Sequence, residues 1–521
     1  MRDFPEKTCA SGWLIPALFV LAGIMVRLFV FGAVPCGFNQ DEAFAGYEAF
    51  SLLRYGVDSA GYSNPCYFVS WGSGMNVLES YLAMPFMAFL GCDVIALRLP
   101  QLIVASVSLI VFFLLLRKVF SWNVALMGLA LLVMAPWHIM LSRWGLESNL
   151  APGFLLFGFF FLVKGVDDDR WWLLSALFYG ISLYAYAIAW IVVPLTILVC
   201  GAYIARHAAR MRLGAVLGSG AILFLLATPL ILFLLVNKGV IPEIRTPLLS
   251  VPKLVFMRGS EVSLGNLVSI DAWRRVFDVL VLQSDSLPWN SPGIFGLFYP
   301  VSIPFLLIGI VVAAKAAWRS FIDRSFSYEA LFLMGFLTSL LVCLMISDLN
   351  INKANSLHFF TLMLVVVGIA RFVGAFRKHG TLGWAMVLCS YGVAFALFIP
   401  YYFGPYNREL APIFRDDVGA AIEFLKEKGE ERECVVDSSV TYPQVLFFDE
   451  TPQPLFASTV VYEDGNAAYR RVKSFGEYEF GIDFENLDPD KTYLLKTDDS
   501  EAFLAMGYQV TPFDAYSVAF R

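Results

Sequence analysis

Long apolar runs govern what this chain can become. Stretches of mostly apolar residues, near the ~20 a helix needs to cross a bilayer core, fall near 12–34, 93–115, 122–141, 150–163, 172–188, 190–205, 213–236, 293–313, 328–346, 355–375 and 381–400. They are unbroken rather than alternating, so the expected crossings are helices and not barrel strands. The fourth and fifth runs are short. The first follows a polar stretch, is too long for a secretory signal and lacks a small-residue cleavage site after it, so it is read as a retained span. Of the 521 residues, 58% are hydrophobic and 15% charged, where a soluble chain carries roughly a quarter charged. A net charge of -6 leaves no basic face for a phosphate backbone, so no nucleic-acid partner is expected. A soluble enzyme and a disordered chain are excluded as well. What remains is a mainly α, polytopic membrane protein with about eleven transmembrane helices.

Orientation follows from Lys and Arg in the short loops. With the N-terminus inside, alternate loops carry Arg117 and Lys118; Lys164 and Arg170; Arg206, Arg210 and Arg212; Lys315, Arg319 and Arg324; and Arg371, Arg377 and Lys378. The opposite short loops offer little beyond Arg54, Arg143 and Lys353. The expected arrangement is a membrane domain over 1–400, with long outer segments at 35–92 and 237–292, and an extracytoplasmic domain over 401–521. The cytoplasmic side then has no room for a nucleotide site, and no G-x-x-x-x-G-K-[ST] run exists. Chemistry is expected on the outer face of a plasma membrane, in a setting that suits a bacterium.

In the first outer loop, Phe44, Tyr47, Phe50 and Leu53 recur at helical spacing over 41–54. That predicts an amphipathic helix lying in the membrane interface, ended by Gly56. A second apolar helix is expected over 75–90, and the two would build a rim around a surface site. After 401 charge rises, with Glu423, Lys426, Glu427, Lys428, Glu430, Glu431 and Arg432. Helices are expected over 412–428, 442–448 and 500–506, and strands over 434–436, 477–482, 492–496 and within 508–520. This reads as a small α/β domain, a lid or docking module without a cofactor motif.

The eight cysteines (9, 36, 66, 92, 200, 343, 389, 434) form no C-x-x-C pair, so no metal or thioredoxin-like site is expected. Cys36 and Cys66 share an outer loop and could form a disulfide. The four histidines (138, 207, 358, 379) are scattered; His138 and His358 sit at outer ends of spans, where hydrogen-bonded interface residues are the plainer expectation.

Three clusters can carry chemistry. Asp41 and Glu42 open the first outer loop. Adjacent carboxylates there are costly unless exposed or paired; they either cap a helix or include a general base. In Pro136-Trp137-His138-Ile139-Met140-Leu141-Ser142-Arg143-Trp144-Gly145-Leu146-Glu147, Arg143 and Glu147 are four apart and could pair on one helix face. Alternatively Arg143 reaches across to Glu42 and orients the acidic dyad. The run from Asp348 to His358 holds Asn352 and Lys353; Lys353 either snorkels or neutralises a lipid phosphate.

An outer loop that opens with Asp41-Glu42, followed by Pro-Trp-His and Ser-Arg-x-x-x-Glu in the second, resembles the GT-C membrane glycosyltransferases, in particular the protein O-mannosyltransferase and aminoarabinose transferase group (PMT-like, glycosyltransferase family 39). Leu52-Leu53-x-x-Gly56, Tyr81-Leu82-x-x-Pro85-Phe86 and Arg98-Leu99-Pro100 fit that pattern, most strongly over 35–165. The resemblance implies a polyprenyl-phosphate-sugar donor, a membrane-lipid environment and a protein, glycolipid or wall-polymer acceptor. It implies Asp41 as base, Glu42 and Arg143 as its catalytic companions, and Glu147 as the second-loop acid. Lys353, Asn352, His138 and His358 are the further candidate substrate-binding residues. It implies no required cofactor, although other GT-C enzymes bind a divalent cation near the carboxylate corresponding to Asp41. Two features depart from the group. A Lys-Pro-Pro-Leu-like run is replaced by Gly74-Met75-Asn76-Val77, and the C-terminal domain does not resemble a sugar-binding trefoil.

Competing classes are a transporter, another outer-leaflet transferase or polysaccharide ligase, and an assembly protein. Against a transporter, charges within the spans are few and the acids gather at one face instead of lining a path.

Overall fold

The computed structural model describes residues 10–207, 211–257, 261–376, 380–428 and 433–521. Cys9, Arg210, Arg377, Lys378, His379, Glu430, Glu431 and Arg432 lie outside the described residues. The membrane domain is built from α1 (Leu14–Leu28), α2 (Gln40–Tyr55), α3 (Leu78–Leu90), α4 (Val94–Val119), α5 (Trp122–Met134), α6 (Pro136–Leu141), α7 (Glu147–Lys164), α8 (Trp171–Ser182), α9 (Ala189–His207) and α10 (Leu213–Asn237). After a two-strand hairpin, β1 (Ile244–Arg245) and β2 (Ser250–Val251), come α11 (Ile270–Phe277), α12 (Ser302–Asp323), α13 (Tyr328–Met345), α14 (Asn355–Ala375) and α15 (Gly380–Tyr401).

Every one of the eleven apolar runs contains a helix. Among the described residues, seven helices are long and apolar enough to cross a membrane: α4, α9, α10, α12, α13, α14 and α15. The expectation of eleven crossings is sharpened accordingly, because α1, α5 and α8 have 15, 13 and 12 residues against the ~20 a crossing needs. The fourth run is longer than expected, since α7 starts at Glu147 instead of 150. α14 is the buried axis of the bundle, whereas α10 turns Leu217, Phe224 and Leu225 outward. Gly309 of α12 and Gly368 of α14 lie against the opposite backbone, where a Cβ on either would overlap a carbonyl. Small residues permit this approach where no water drives helices together.

The rim helices differ from expectation. α2 is not laid in an interface: Phe44 and Tyr47 are buried and only Leu53 of the aromatic-aliphatic face is exposed. The C-terminal domain covers that face through α18 (Tyr442–Asp449), with Phe447 against Gly46. Docking a folded domain removes more apolar surface from water than a headgroup layer does.

The expected 412–428 helix is two helices, α16 (Asn407–Phe414) and α17 (Val418–Lys428). Arg415 and Asp417 between them have positive φ (53° and 64°), and the freed Phe414 carbonyl accepts the Phe38 N–H at 2.7 Å. Gly37 makes that approach possible, since a Cβ there would meet the Phe414 backbone. The domain's sheet joins β3 (Cys434–Val436), β4 (Val461–Tyr462), β5 (Val472–Phe475), β6 (Tyr478–Phe480), β7 (Thr492–Lys496), β8 (Gln509–Phe513) and β9 (Tyr516–Phe520) in the order β4-β5-β6-β3-β7-β9-β8. β3 runs parallel to β6 and β7, and the other pairs are antiparallel. Side chains alternate: Val436 and Leu494 face α2 and α18, while Val435, Tyr493 and Leu495 face Phe503 on the opposite layer, formed by α20 (Ser500–Ala505). α19 (Gln453–Thr459), β4 and β5 were not expected; they are short and carry little periodic signal.

The proposed Cys36–Cys66 disulfide is absent. Both thiols are free; Cys36 Sγ donates to the Asn407 carbonyl and Cys66 Sγ to the Pro229 carbonyl. The two residues are held by different partners, the α16 start and α10.

Candidate functional site

Asn39 is the N-cap of α2. Its side chain accepts the Asp41 N–H at 2.9 Å, and Glu42 Oε2 accepts the Asn39 N–H at 3.2 Å, a capping box in which two otherwise orphaned donors are satisfied. Cap and site therefore coexist, because the two carboxylates point apart. Glu42 turns inward and is fully buried. Asp41 stays half-buried and accepts the Trp71 indole N–H at 3.1 Å on Oδ1.

Glu42 is paired, but not with Arg143. Arg98 of α4 grips it with two nitrogens, at 2.8 Å and 2.9 Å, and the Gly145 N–H donates to it at 2.7 Å. The same guanidinium donates to the carbonyls of Gly32, Pro35 and Gly37. Arg98 and Glu42 are both fully buried, so the fork is satisfied where leaving it open would be costly. Arg143 makes neither of its expected ion pairs. It donates to the carbonyls of Arg27, Phe29, Val30 and Val34 at 2.6–2.9 Å, capping the end of α1. Glu147 begins α7 after the turn at Gly145, so the two are not on one continuous helix face. His138 sits against Arg27 at 2.6 Å and His358 against the Ile351 carbonyl at 3.2 Å. Both are buried, and neither lines the cavities described next.

The remaining candidates converge on two cavities. A chamber of about 450 Å³ lies between the start of α2, the start of α7 and the α16–α17 junction; Asp41, Glu147, Asn352, Tyr186, Trp289 and Arg415 line it. A slot of about 290 Å³ is walled by apolar side chains including Trp190, Phe233, Leu254 and Val342, and holds Lys353 and Asn76. Glu147 and Tyr186 line both. Asn76 donates its backbone N–H to Glu147, and its buried side-chain amide has neither nitrogen nor oxygen bonded among the described residues. Lys353 pairs with Glu261 at 3.1 Å. Its turn is held from the 285–290 loop, where Asp285 accepts the Ile351 N–H and Asn290 the Asn352 amide.

Of the predicted residues, the fold brings Asp41, Glu147, Asn352 and Lys353 together and sets Glu42, Arg143, His138 and His358 behind them. Sequence reasoning missed Trp71 and Arg415 and quoted Arg98 only inside a motif. A charged residue within an apolar run was the available signal for Arg98; no short-range signal marks Arg415, which reaches the chamber from the C-terminal domain. Burial holds the Arg415 guanidinium below its ordinary value, opposed by Tyr516, Tyr469 and Asp41.

Beside Asp41, the adjacent Glu42 carboxylate is not available to a divalent cation. Glu42 is spent on Arg98 and Gly145. Among the described residues, the one group of three acids close enough to share an ion is Asp416, Asp417 and Asp514, which excludes Asp41.

No protein-family model matches the chain, and no curated protein matches it. Solved structures do. ArnT from Cupriavidus metallidurans, bound to undecaprenyl phosphate, superposes with a TM-score of 0.55 at 12% identity, over 98% of each chain. Its apo form gives 0.54 at 13% identity, again over 98% of each. The Archaeoglobus fulgidus oligosaccharyltransferase, in a complex with Zn and sulfate, gives 0.50 at 11% identity, over 84% of this chain and 61% of that one. At such identities the likeness is one of fold. The chain is a multi-pass membrane protein with the GT-C fold.

Proposed function

We propose that this chain is a membrane glycosyltransferase that moves a sugar from a polyprenyl-phosphate donor to an acceptor hydroxyl on the extracytoplasmic face of a plasma membrane. The observation that carries this reading is the junction of the two cavities. A polar chamber with an acid at its wall adjoins an apolar slot with a lysine, and Glu147 and Tyr186 belong to both. A donor with a greasy tail, a phosphate and a sugar has the same order of chemistries. The bound lipid of the ArnT structure supports the same donor class. The basic loops, from Arg117 and Lys118 through Arg371, support the orientation.

In this reading the isoprenoid lies in the slot and its phosphate beside Lys353 and the Asn76 amide, a group whose burial without partners is costly until a ligand arrives. The sugar stands in the chamber. Asp41 takes the proton of the acceptor hydroxyl as its oxygen bonds to the anomeric carbon, and the carbon–oxygen bond to phosphate breaks. Polyprenyl phosphate leaves with both bonding electrons, its charge balanced by Lys353. A single positioned base contributes about 10²–10⁴-fold. No resident cofactor takes part, so a chelator is expected to leave turnover unchanged.

The test is release of polyprenyl phosphate from polyprenyl-phosphate-linked sugars. Asp41→Asn is expected to lower it by about 10²–10⁴-fold while thermal stability in detergent stays at wild type. Full turnover in that variant removes Asp41 as base. Cleavage only of a polyprenyl-pyrophosphate-linked sugar offered in its place, with release of the pyrophosphate lipid, identifies a ligase instead, and both donors left intact a transporter.

A further inference from the structure

Trp71 has a backbone that its side chain does not favour. It lies at φ 58°, ψ -3° in the turn between Phe68 and Met75, whose backbones pair as an isolated bridge, and it is not glycine. Non-glycine residues in this region are held there by their surroundings, and such strain gathers where a group must be aimed. The indole is 4% exposed. Its N–H goes to Asp41 Oδ1 at 3.1 Å.

The surroundings that hold it belong largely to another domain. Tyr469 stacks on the indole at 4.4 Å with the planes 12° apart. Tyr442 of α18 meets it edge-on at 5.2 Å. The Arg470 N–H donates to the Trp71 carbonyl at 2.8 Å, and the Arg470 guanidinium lies over Tyr462 of β4 at 4.5 Å, tying the loop back to its own sheet. From the membrane domain, Phe44 of α2 completes the box, at 5.3 Å. Asp41 is thus oriented by a side chain whose own position is set from about 400 residues away along the chain, through residues 469 and 470.

We propose that Tyr469 and the 463–471 loop of the C-terminal domain position Asp41 through Trp71, so that the docked domain completes the active site instead of merely covering it. The inference rests on the reading of Asp41 as the base. Trp71 and Tyr469 are positioning residues. The indole N–H favours the ionised carboxylate and fixes the direction in which it faces the chamber. The stack prevents the strained backbone from relaxing and withdrawing the donor. An N–H donor to a carboxylate lowers the pH at which that carboxylate takes up a proton.

The test uses the purified full chain and dicyclohexylcarbodiimide, which reacts with protonated carboxyls, with mass spectrometry reading the labelled fraction of Asp41 against pH. Trp71→Phe keeps a ring and removes the donor. It is expected to raise the labelling midpoint by about one pH unit. Tyr469→Leu changes an exposed side chain (40%), so it spares the fold. It is expected to raise the midpoint by roughly half a unit, and Tyr469→Phe, which keeps the stack, to leave it at wild type. Unmoved midpoints in both Trp71→Phe and Tyr469→Leu overturn the proposal, as does a Tyr469→Phe shift equal to that of the leucine variant.

Turnover supplies the second arm, with undecaprenyl phosphate carrying mannose, glucose, galactose or arabinose as probes. Trp71→Phe should lower kcat about tenfold, with KM within about twofold and the acid limb of the pH profile moved up by the labelling shift. Loss of turnover with an unmoved limb counts against positioning. If wild type and Asp41→Asn release the same polyprenyl phosphate, the reading of Asp41 as the base fails, and the labelling arm still decides whether Trp71 governs Asp41.

Discussion

Asp41 and Glu42 are adjacent in the chain and belong to different regions of the molecule. On the chamber side, Asp41 is half-buried and takes an indole N–H, with an arginine and a second acid across the space. On the interior side, Glu42, Arg98 and Arg143 are wholly buried, with every arm of each guanidinium bonded to carboxylate or carbonyl oxygen. The difference separates charge that is locked among fixed partners from charge that borders a cavity. A buried ion with all its partners fixed keeps the loop after α1 on the starts of α4 and α7. Asp41 instead lines a chamber, which is the ground for proposing it as the base.

The sharpest way to break this comparison is to remove one member of the interior pair. Glu42→Gln or Arg98→Met leaves a buried charge uncompensated and should cost about 3–5 kcal/mol of stability, read as a lowered thermal midpoint in detergent. A Glu42→Gln chain with unchanged midpoint and lost turnover would move Glu42 to the chamber's side of the divide.

A smaller effect is expected at the slot. Lys353→Ala should raise KM for the lipid donor about tenfold and leave the midpoint near wild type, since its ion pair with Glu261 is partly solvated. A folding defect with unaltered KM would make Lys353 a structural residue like Arg98.

The smallest concerns a second buried acid pair in α2 and the loop after it. Burial pushes Asp58 up to about 7, against the N–H donors of Tyr62 and Ala60 that lower it, and burial, followed by the Asp58 charge, raises Glu48 well above the usual range. An acid whose pKa is raised on folding binds more protons folded than unfolded. Stability therefore falls as pH rises from the unfolded value near 4 through about 7. Asp58→Asn should flatten that slope, measured as thermal midpoint at pH 5 and pH 8. An unaltered slope would place its origin elsewhere.

Much of the fold was legible because bilayers impose length and polarity on local sequence. Each apolar run became a helix, and β3, β7 and α18 of the C-terminal domain fell where alternation and turn residues put them. The α16–α17 break was not legible, because Arg415 and Asp417 carry no local mark; the break follows from the Phe38–Phe414 bond between distant segments. α2 was misplaced for a related reason. An aromatic face reads the same whether lipid or a folded domain will cover it.

In the site, the local signals found Asp41, Glu147, Asn352 and Lys353, since charged and amide residues beside apolar runs are costly without a role. Which of them face open space was a matter of tertiary structure. Neighbouring residues on a helix point about 100° apart, so Asp41 and Glu42 could not both face the chamber, and only the position of Arg98 on α4 decided which turned inward. Arg143 makes neither expected ion pair, because the carbonyls at the end of α1 take its guanidinium. Membrane residence and helical architecture thus follow from the chain's composition and periodicity alone. The division of its few charges into a closed lattice and an open site follows from which segments the folded bundle brings within hydrogen-bond reach.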